Sequence, residues 1–103
     1  MTASVYYSEC CNNREEIIKN TIGDGSIIDS FLIDNLHPMG AEIHSVTDTG
    51  VIIITNALTD KLITKIIARP AQIKKLYGEY GIEPPKKVLE AAYRNNRKGL
   101  NRL

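Results

Sequence analysis

The sequence places titratable residues at even spacings, which puts their side chains on one face of a β-strand. Glu42 and His44 form one such row, and Lys65 and Arg69 form another, with the hydroxyl of Thr64 beside it. A carboxylate or an imidazole can take the proton of an RNA 2′-hydroxyl, while a second group protonates the leaving 5′-oxygen and a cation stabilises the phosphorane. If the two rows converge across a sheet, these residues predict cleavage of RNA without a metal ion.

The same alternation has a second interpretation, in which the polar rows are the solvated half of a sheet that packs on one side only. His44 is then a solvent-exposed residue with no catalytic role. Asp29 and Asp34 add no paired-carboxylate site, because residues five apart on a strand fall on opposite faces. The residues alone leave the catalytic and the structural interpretation open.

Three predicted strands and the two turns between them fill the stretch 41–70, which must position both rows. The stretch is rich in Val, Ile and Thr, whose side chains suit a pleated sheet, and turn signals stand at 48–50 and 56–61. The apolar run 51–54 predicts a strand with cover on both of its faces.

A fourth strand is predicted over residues 28–34, followed by a Pro-Met-Gly turn at 38–40. The apolar positions of this segment also fit a helical face, so a helix is the alternative there. With the strand, the sheet is a four-stranded antiparallel meander over about 28–69, in which every connection is short.

Helices are predicted before and after the sheet. Residues 14–22 form an N-terminal helix that Gly23 ends. Pro70 begins a second helix, and a third runs over 85–98, with Gly99 after its last turn. Since 103 residues make one domain, the predicted fold is a single α+β domain with an N-terminal helix, the meander and two C-terminal helices.

Charge is strongly segregated along the chain, although the formal net charge is only +1. Residues 1–60 hold two basic and nine acidic side chains, whereas residues 61–103 hold eleven basic and three acidic ones. The basic helical region over 70–103 is therefore a candidate surface for binding RNA or an acidic protein. Its cations are Lys74, Lys75, Lys86, Lys87, Arg94, Arg97, Lys98 and Arg102. In the alternative interpretation, the two halves of the chain simply neutralise each other in the fold.

The composition predicts a cytoplasmic protein with no membrane partner. No apolar run approaches the roughly 20 residues that a membrane helix needs, and the N-terminus lacks a secretory signal. Cys10 and Cys11 are adjacent and have no metal-ligand spacing around them, which predicts reduced thiols, no metal site and no cofactor. A strand at either edge of the meander could pair with a second copy of the chain, so a homodimer is a further prediction.

Two stretches resemble known proteins. EIHSVTDTGVIIITN (42–56) and LITKIIARPAQIKKLY (62–77) resemble small proteins of Gram-positive phages and prophages. The layout, a helix followed by an antiparallel meander with a threonine on its last strand, resembles the superfamily of small RNases and toxins that includes barnase, EndoU, colicin and RelE proteins. This second resemblance implies RNA cleavage or RNA binding, with His44, Lys65 and Arg69 in the place of the family's basic groups.

Two functions of different classes follow from these observations. The first is a phage- or mobile-element-encoded protein directed at RNA, which in its catalytic form is a metal-independent endoribonuclease. The second is a small phage inhibitor that binds and blocks a host defence protein, as anti-CRISPR factors do, without catalysis. An RNase needs the two polar rows to converge in one cleft, whereas an inhibitor needs only a complementary surface.

Overall fold

The predicted strands are present and pair in sequence order. A computed structural model describes residues 22, 23, 25–34 and 40–102, so the predicted N-terminal helix over 14–22 lies outside the described residues apart from Ile22. The strands are β1 (Ile27–Ile33), β2 (Glu42–Thr47), β3 (Val51–Asn56) and β4 (Leu62–Ile67). Every neighbouring pair is antiparallel, and in the described part of the chain the sheet is a four-stranded meander.

β1 resolves the segment that the sequence left ambiguous. Residues 27–33 form a strand, so the helical alternative is wrong there. Phe31 is buried, while Ser30 and Leu32 on either side of it are exposed. This period of two is typical of a strand at the edge of a sheet that packs on one face.

Two helices follow the sheet, as predicted, and a short 3-10 helix comes after them. The helices are α1 (Pro70–Glu79) and α2 (Lys86–Arg97), and the 3-10 helix covers Leu100–Arg102. Pro70 takes the first position of α1, where a missing N–H costs nothing. Gly99 follows α2 with a φ of +74°, the left-handed conformation that commonly ends a helix.

Both helices pack on the same face of the sheet and share one core with it. The sheet contributes Phe31, Val46, Ile52 and Ala68, and the helices contribute Ile73, Leu76, Tyr77, Val88 and Ala92. Burial of apolar surface stabilises a fold by roughly 25 cal/mol per Å². This layer is therefore the main source of stability among the described residues, and it fixes how the helices lie over the sheet.

The opposite face of the sheet is covered at one end. Val51 and Ile67 are buried there against Ile22 and Leu100. The side-chain amide of Asn101 donates to the carbonyl of Ile67 at 2.8 Å, which holds the 3-10 helix against β4. The prediction that the run 51–54 is covered on both faces is therefore confirmed for Val51 and Ile52, which are buried, whereas Ile53 and Ile54 are partly buried.

Candidate functional site

The Glu42–His44 pair lies on the face of the sheet that the helices cover. His44 pairs with Phe31 across β1 and β2, so it shares a face with that core residue. Its Nε2 atom lies 3.1 Å from Glu42 Oε1, and only 21% of the His44 side chain and 17% of the Glu42 side chain are exposed. The interpretation of His44 as a solvent-exposed residue is therefore wrong.

Thr64 shares this face but lies two strands away from the pair. His44 pairs with Ile54, and Ile54 pairs with Thr64. Since neighbouring strands are about 4.8 Å apart, roughly 10 Å separates the backbones of His44 and Thr64. The Thr64 hydroxyl points to the carbonyl of Lys65 at 3.5 Å, so it takes no part in the Glu42–His44 contact.

Lys65 lies on the opposite face of the sheet. It pairs with Ile53, whereas its neighbour Thr64 pairs with Ile54 on the helix-covered face. The expected convergence of Lys65 with His44 is therefore wrong. A change of one residue in register reverses which row of a strand faces the helices, and the alternating sequence of β4 fits either register.

Arg69 does not extend the row of β4, because it stands at the start of α1. Its backbone N–H donates to Gln72 Oε1 at 2.8 Å, and its side chain is exposed. Arg69 follows Thr64 by five residues, which at about 3.3 Å per residue places it more than roughly 10 Å along from the level of His44. The expected convergence with the Glu42–His44 pair is wrong for Arg69 as well.

The Glu42–His44 pair supplies a carboxylate and an imidazole, but the predicted cleavage chemistry also needs a cation beside them. The charge that develops on the phosphorane would meet neither Lys65 nor Arg69 there. In the part of the chain that the structure describes, no group of three or more His, Cys, Asp and Glu side chains could hold a metal ion. The pair instead satisfies two polar side chains in a mostly buried place.

A second polar contact on this face was not found from the sequence. The hydroxyl of Tyr77, a fully buried residue of α1, donates to Asp29 Oδ2 at 2.6 Å. Burial first, and then the hydrogen bond to Asp29 and its negative charge, raise the pKa of Tyr77. The sequence could have placed Asp29 on the covered face, because Asp29 stands two residues from Phe31 on a strand and so shares its face.

The cations of the two helices are exposed to solvent. The exposed side chains are Lys74, Lys75, Lys86, Lys87, Arg94, Arg97 and Lys98, and Arg102 lies in the 3-10 helix. Lys86 lies 3.9 Å from Glu90 one turn along α2, and exposed pairs of this kind contribute little. Among the described residues, the other exposed cations have no ion-pair partner. The helices therefore present more positive charge than the side chains of the described residues neutralise.

One of these cations contacts an exposed tyrosine, and others stand near it on the two helices. Lys74 Nζ donates to the Tyr93 hydroxyl at 2.9 Å and lies 5.5 Å from the centroid of the ring, which joins α1 to α2. Lys86 and Arg97 stand on the same side of α2 as Tyr93 by helical spacing, and Lys75 is the exposed neighbour of Lys74 on α1. These five residues are called the outer basic face below.

Two further cations line a cleft between α2 and the turn that joins β2 to β3. Arg94 and Lys98 stand four residues apart on one side of α2, and Asp48, Thr49 and Asn95 are the other polar residues of the cleft. The volume of the cleft is about 160 Å³. This set of residues is called the α2 cleft below.

No protein-family model, curated protein or solved structure matches the chain. The resemblances to phage proteins and to small RNases therefore stay predictions, as does a homodimer. None of the described helices is long and apolar enough to cross a membrane. The features that bear on function are the outer basic face, the α2 cleft and the Glu42–His44 pair.

Proposed function

We propose that the chain binds single-stranded RNA through the outer basic face. In the described structure, Lys75 and Arg97 have no ion-pair partner, and both are exposed. Cations of this kind displace the counterions of phosphates, which supplies most of the sequence-independent affinity for nucleic acids. This surplus of exposed charge is the observation that carries the proposal.

An aromatic side chain stands among these cations. Tyr93 is 40% exposed, next to Lys74 and on the same side of α2 as Lys86 and Arg97. Bases of a single strand stack on such rings, and each stacked base contributes about 1–3 kcal/mol. A cationic surface with a central tyrosine is better suited to a single strand than to an acidic protein surface, which needs no aromatic ring.

The site favours binding over cleavage. The Glu42–His44 pair lacks the cation that stabilises a phosphorane, since Lys65 lies on the other face and Arg69 lies at the start of α1. Loss of one electrostatic stabiliser of this type lowers kcat by about 10²–10³. The proposal keeps the phage or mobile-element origin expected from the sequence, with RNA bound but not cut.

The proposal is tested with two double variants that remove the same charge from different places. Lys75→Gln/Arg97→Gln removes one lysine and one arginine from the outer basic face. Lys61→Gln/Arg69→Gln removes the same pair of side chains from exposed positions elsewhere. Binding of a fluorescent single-stranded RNA is measured by anisotropy over a series of salt concentrations.

The first variant should bind about tenfold more weakly, and its slope of log K against log salt should be smaller by about 1.4, because each phosphate contact contributes about 0.7. The second variant should stay within about twofold of wild type. Equal losses in both variants would show attraction by net charge alone and overturn the proposal. Binding of polyglutamate but not of RNA would identify an acidic protein, such as a host defence protein, as the partner.

A further inference from the structure

The α2 cleft has one wall that is built from buried contacts. Asn95 is only 4% exposed, and its amide donates to the carbonyl of Thr49 at 2.9 Å. A Cβ atom on Gly50 would meet Asn95 Nδ2 at 3.0 Å and the backbone nitrogen of Ala92 at 3.2 Å, so α2 lies directly on the turn. Arg94 directly precedes Asn95 in α2, so the distance between its backbone and the turn is also fixed.

Asp48, in the turn between β2 and β3, forms the other wall of the cleft and is held by Ser26, which directly precedes β1. Asp48 Oδ1 accepts the backbone N–H of Ser26 at 2.9 Å, and the Asp48 N–H donates to the Ser26 carbonyl at 3.0 Å. The turn is thus fixed on one side by Ser26 and on the other by Asn95. The backbone that forms the cleft is therefore held in place before a ligand binds.

Two cations face this concavity without ion-pair partners. Arg94 and Lys98 are exposed and have none among the described residues. A guanidinium binds phosphate oxygens with two parallel hydrogen bonds, and an ammonium adds a point charge. The cleft volume of about 160 Å³ is much larger than the space that one water molecule needs, so the cleft has room for a phosphate group.

Two features of the cleft oppose an anion and lower the affinity of the cleft for phosphate. The carboxylate of Asp48 carries one negative charge, and the carboxyl end of α2 carries about half a charge. Against the two cations, they leave only a small positive excess for a singly charged phosphodiester. A terminal phosphate carries about −1.5 to −2 at neutral pH and interacts correspondingly more strongly with both cations.

We propose that the α2 cleft binds the terminal phosphate of an RNA strand whose bases and internal phosphates lie on the outer basic face. This inference rests on the proposed RNA binding. Arg94 and Lys98 hold the phosphate, Asp48 limits the affinity, and the protein prefers strands with a phosphorylated end.

The test compares oligonucleotides of one sequence that carry a 5′-phosphate, a 3′-phosphate or hydroxyls at both ends. Wild type should bind one of the phosphorylated strands at least fivefold more tightly than the hydroxyl strand. Arg94→Gln/Lys98→Gln should abolish this preference, whereas the outer-face variant Lys75→Gln/Arg97→Gln, which loses the same charge, should weaken all three strands alike. Asp48→Asn should increase the preference, because it removes a negative charge and its amide oxygen can still accept from Ser26.

Inorganic phosphate separates failure of this inference from failure of RNA binding. In a nuclear magnetic resonance titration, phosphate should shift the Asn95 side-chain amide in wild type and not in Arg94→Gln/Lys98→Gln. If RNA binds but all three strands bind equally, the terminal-phosphate site is wrong and the outer basic face stands. If phosphate shifts Asn95 but no RNA binds, the proposed function is wrong and the cleft is a site for free phosphate.

Discussion

The hydroxyl of Tyr77 donates a hydrogen bond of 2.6 Å to the carboxylate of Asp29, a residue 48 positions away in the chain. The ring of Phe31 contacts the ring of Tyr77 in α1 and the ring of Tyr80, which directly follows α1, with a centroid distance of 4.9 Å in each pair. The Tyr80 hydroxyl also donates to the carbonyl of Leu32. These contacts fix an edge strand, β1, against the end of α1.

Tyr77→Phe should lower the free energy of unfolding by about 1–2 kcal/mol. The ring keeps its packing, but the half-buried carboxylate of Asp29 loses its partner, and an unsatisfied polar group in such a place carries a cost of this size. Urea denaturation measures the change. Tyr93→Phe is the control, since its exposed contact with Lys74 should contribute less than about 0.5 kcal/mol, and equal losses in both variants would contradict the assigned role of Asp29.

Stability should fall at alkaline pH in a way that depends on Tyr77. Below about pH 10 the hydroxyl is protonated in both the folded and the unfolded chain, so its contribution is fully present. Burial and Asp29 raise the pKa of Tyr77 in the folded chain, so above pH 10 the unfolded chain loses the proton first. The folded state then loses about 1.4 kcal/mol of stability per pH unit.

The measurement is the difference in unfolding free energy between wild type and Tyr77→Phe from pH 8 to pH 11. The two proteins differ in one hydroxyl only, so the subtraction removes the effect of every other group. The difference should shrink as the pH rises above 10. A difference that stays constant would show that the hydroxyl loses its proton equally easily in both states.

Gly50→Ala should be more destabilising than Gly99→Ala. Both glycines have positive φ angles, +83° and +74°, so each substitution carries a conformational cost of about 1 kcal/mol or more. Only Gly50 is also crowded, because its new Cβ would meet the backbone of Ala92 at 3.2 Å, whereas nothing lies within 4 Å of that on Gly99. Thermal unfolding of both variants should show the larger loss for Gly50→Ala, and similar losses would mean that α2 moves away from the turn at no cost.

RNA should remain intact when it is incubated with the protein in EDTA. Wild type and His44→Ala are compared on labelled total RNA. We expect no difference between them, because neither Lys65 nor Arg69 lies close to His44. If wild type cleaves RNA and His44→Ala does not, the endoribonuclease prediction is correct. A cation from an element other than β4 would then lie beside the Glu42–His44 pair.

The architecture of the sheet could be predicted because local signals agree with one another. The turn at 48–50 and the β-branched run of β3 both predict a strand that begins at Val51, and Pro70 and Gly99 mark helix ends through their backbone chemistry alone. The segment of β1 was ambiguous because a short apolar run fits both periods. Its strand conformation is fixed by pairing with β2, which is a tertiary effect.

The candidate site was less predictable, since it depends on which strand rows meet. Alternation correctly placed Glu42 and His44 on one face, but register alone decides whether Thr64 or Lys65 joins them. The irregularity between Ile54 and Thr55 in the pairing of β3 with β4 has no local signal in the sequence. The α2 cleft could not be predicted either, because it lies between a turn and a helix that begins almost 40 positions later, and only tertiary packing brings the two together.

The hydrogen bond from Asn95 to Thr49 spans 46 positions, whereas the strands of the meander follow one another through short turns. Closing a long loop costs more conformational entropy than closing a short one, so the hairpins should form early in folding and the docking of α2 late. Asn95→Ala should then speed unfolding in stopped-flow experiments and leave the folding rate nearly unchanged. The cationic helices would be the last layer to assemble, so an incomplete chain emerging from the ribosome would not yet present an organised surface to the RNA around it.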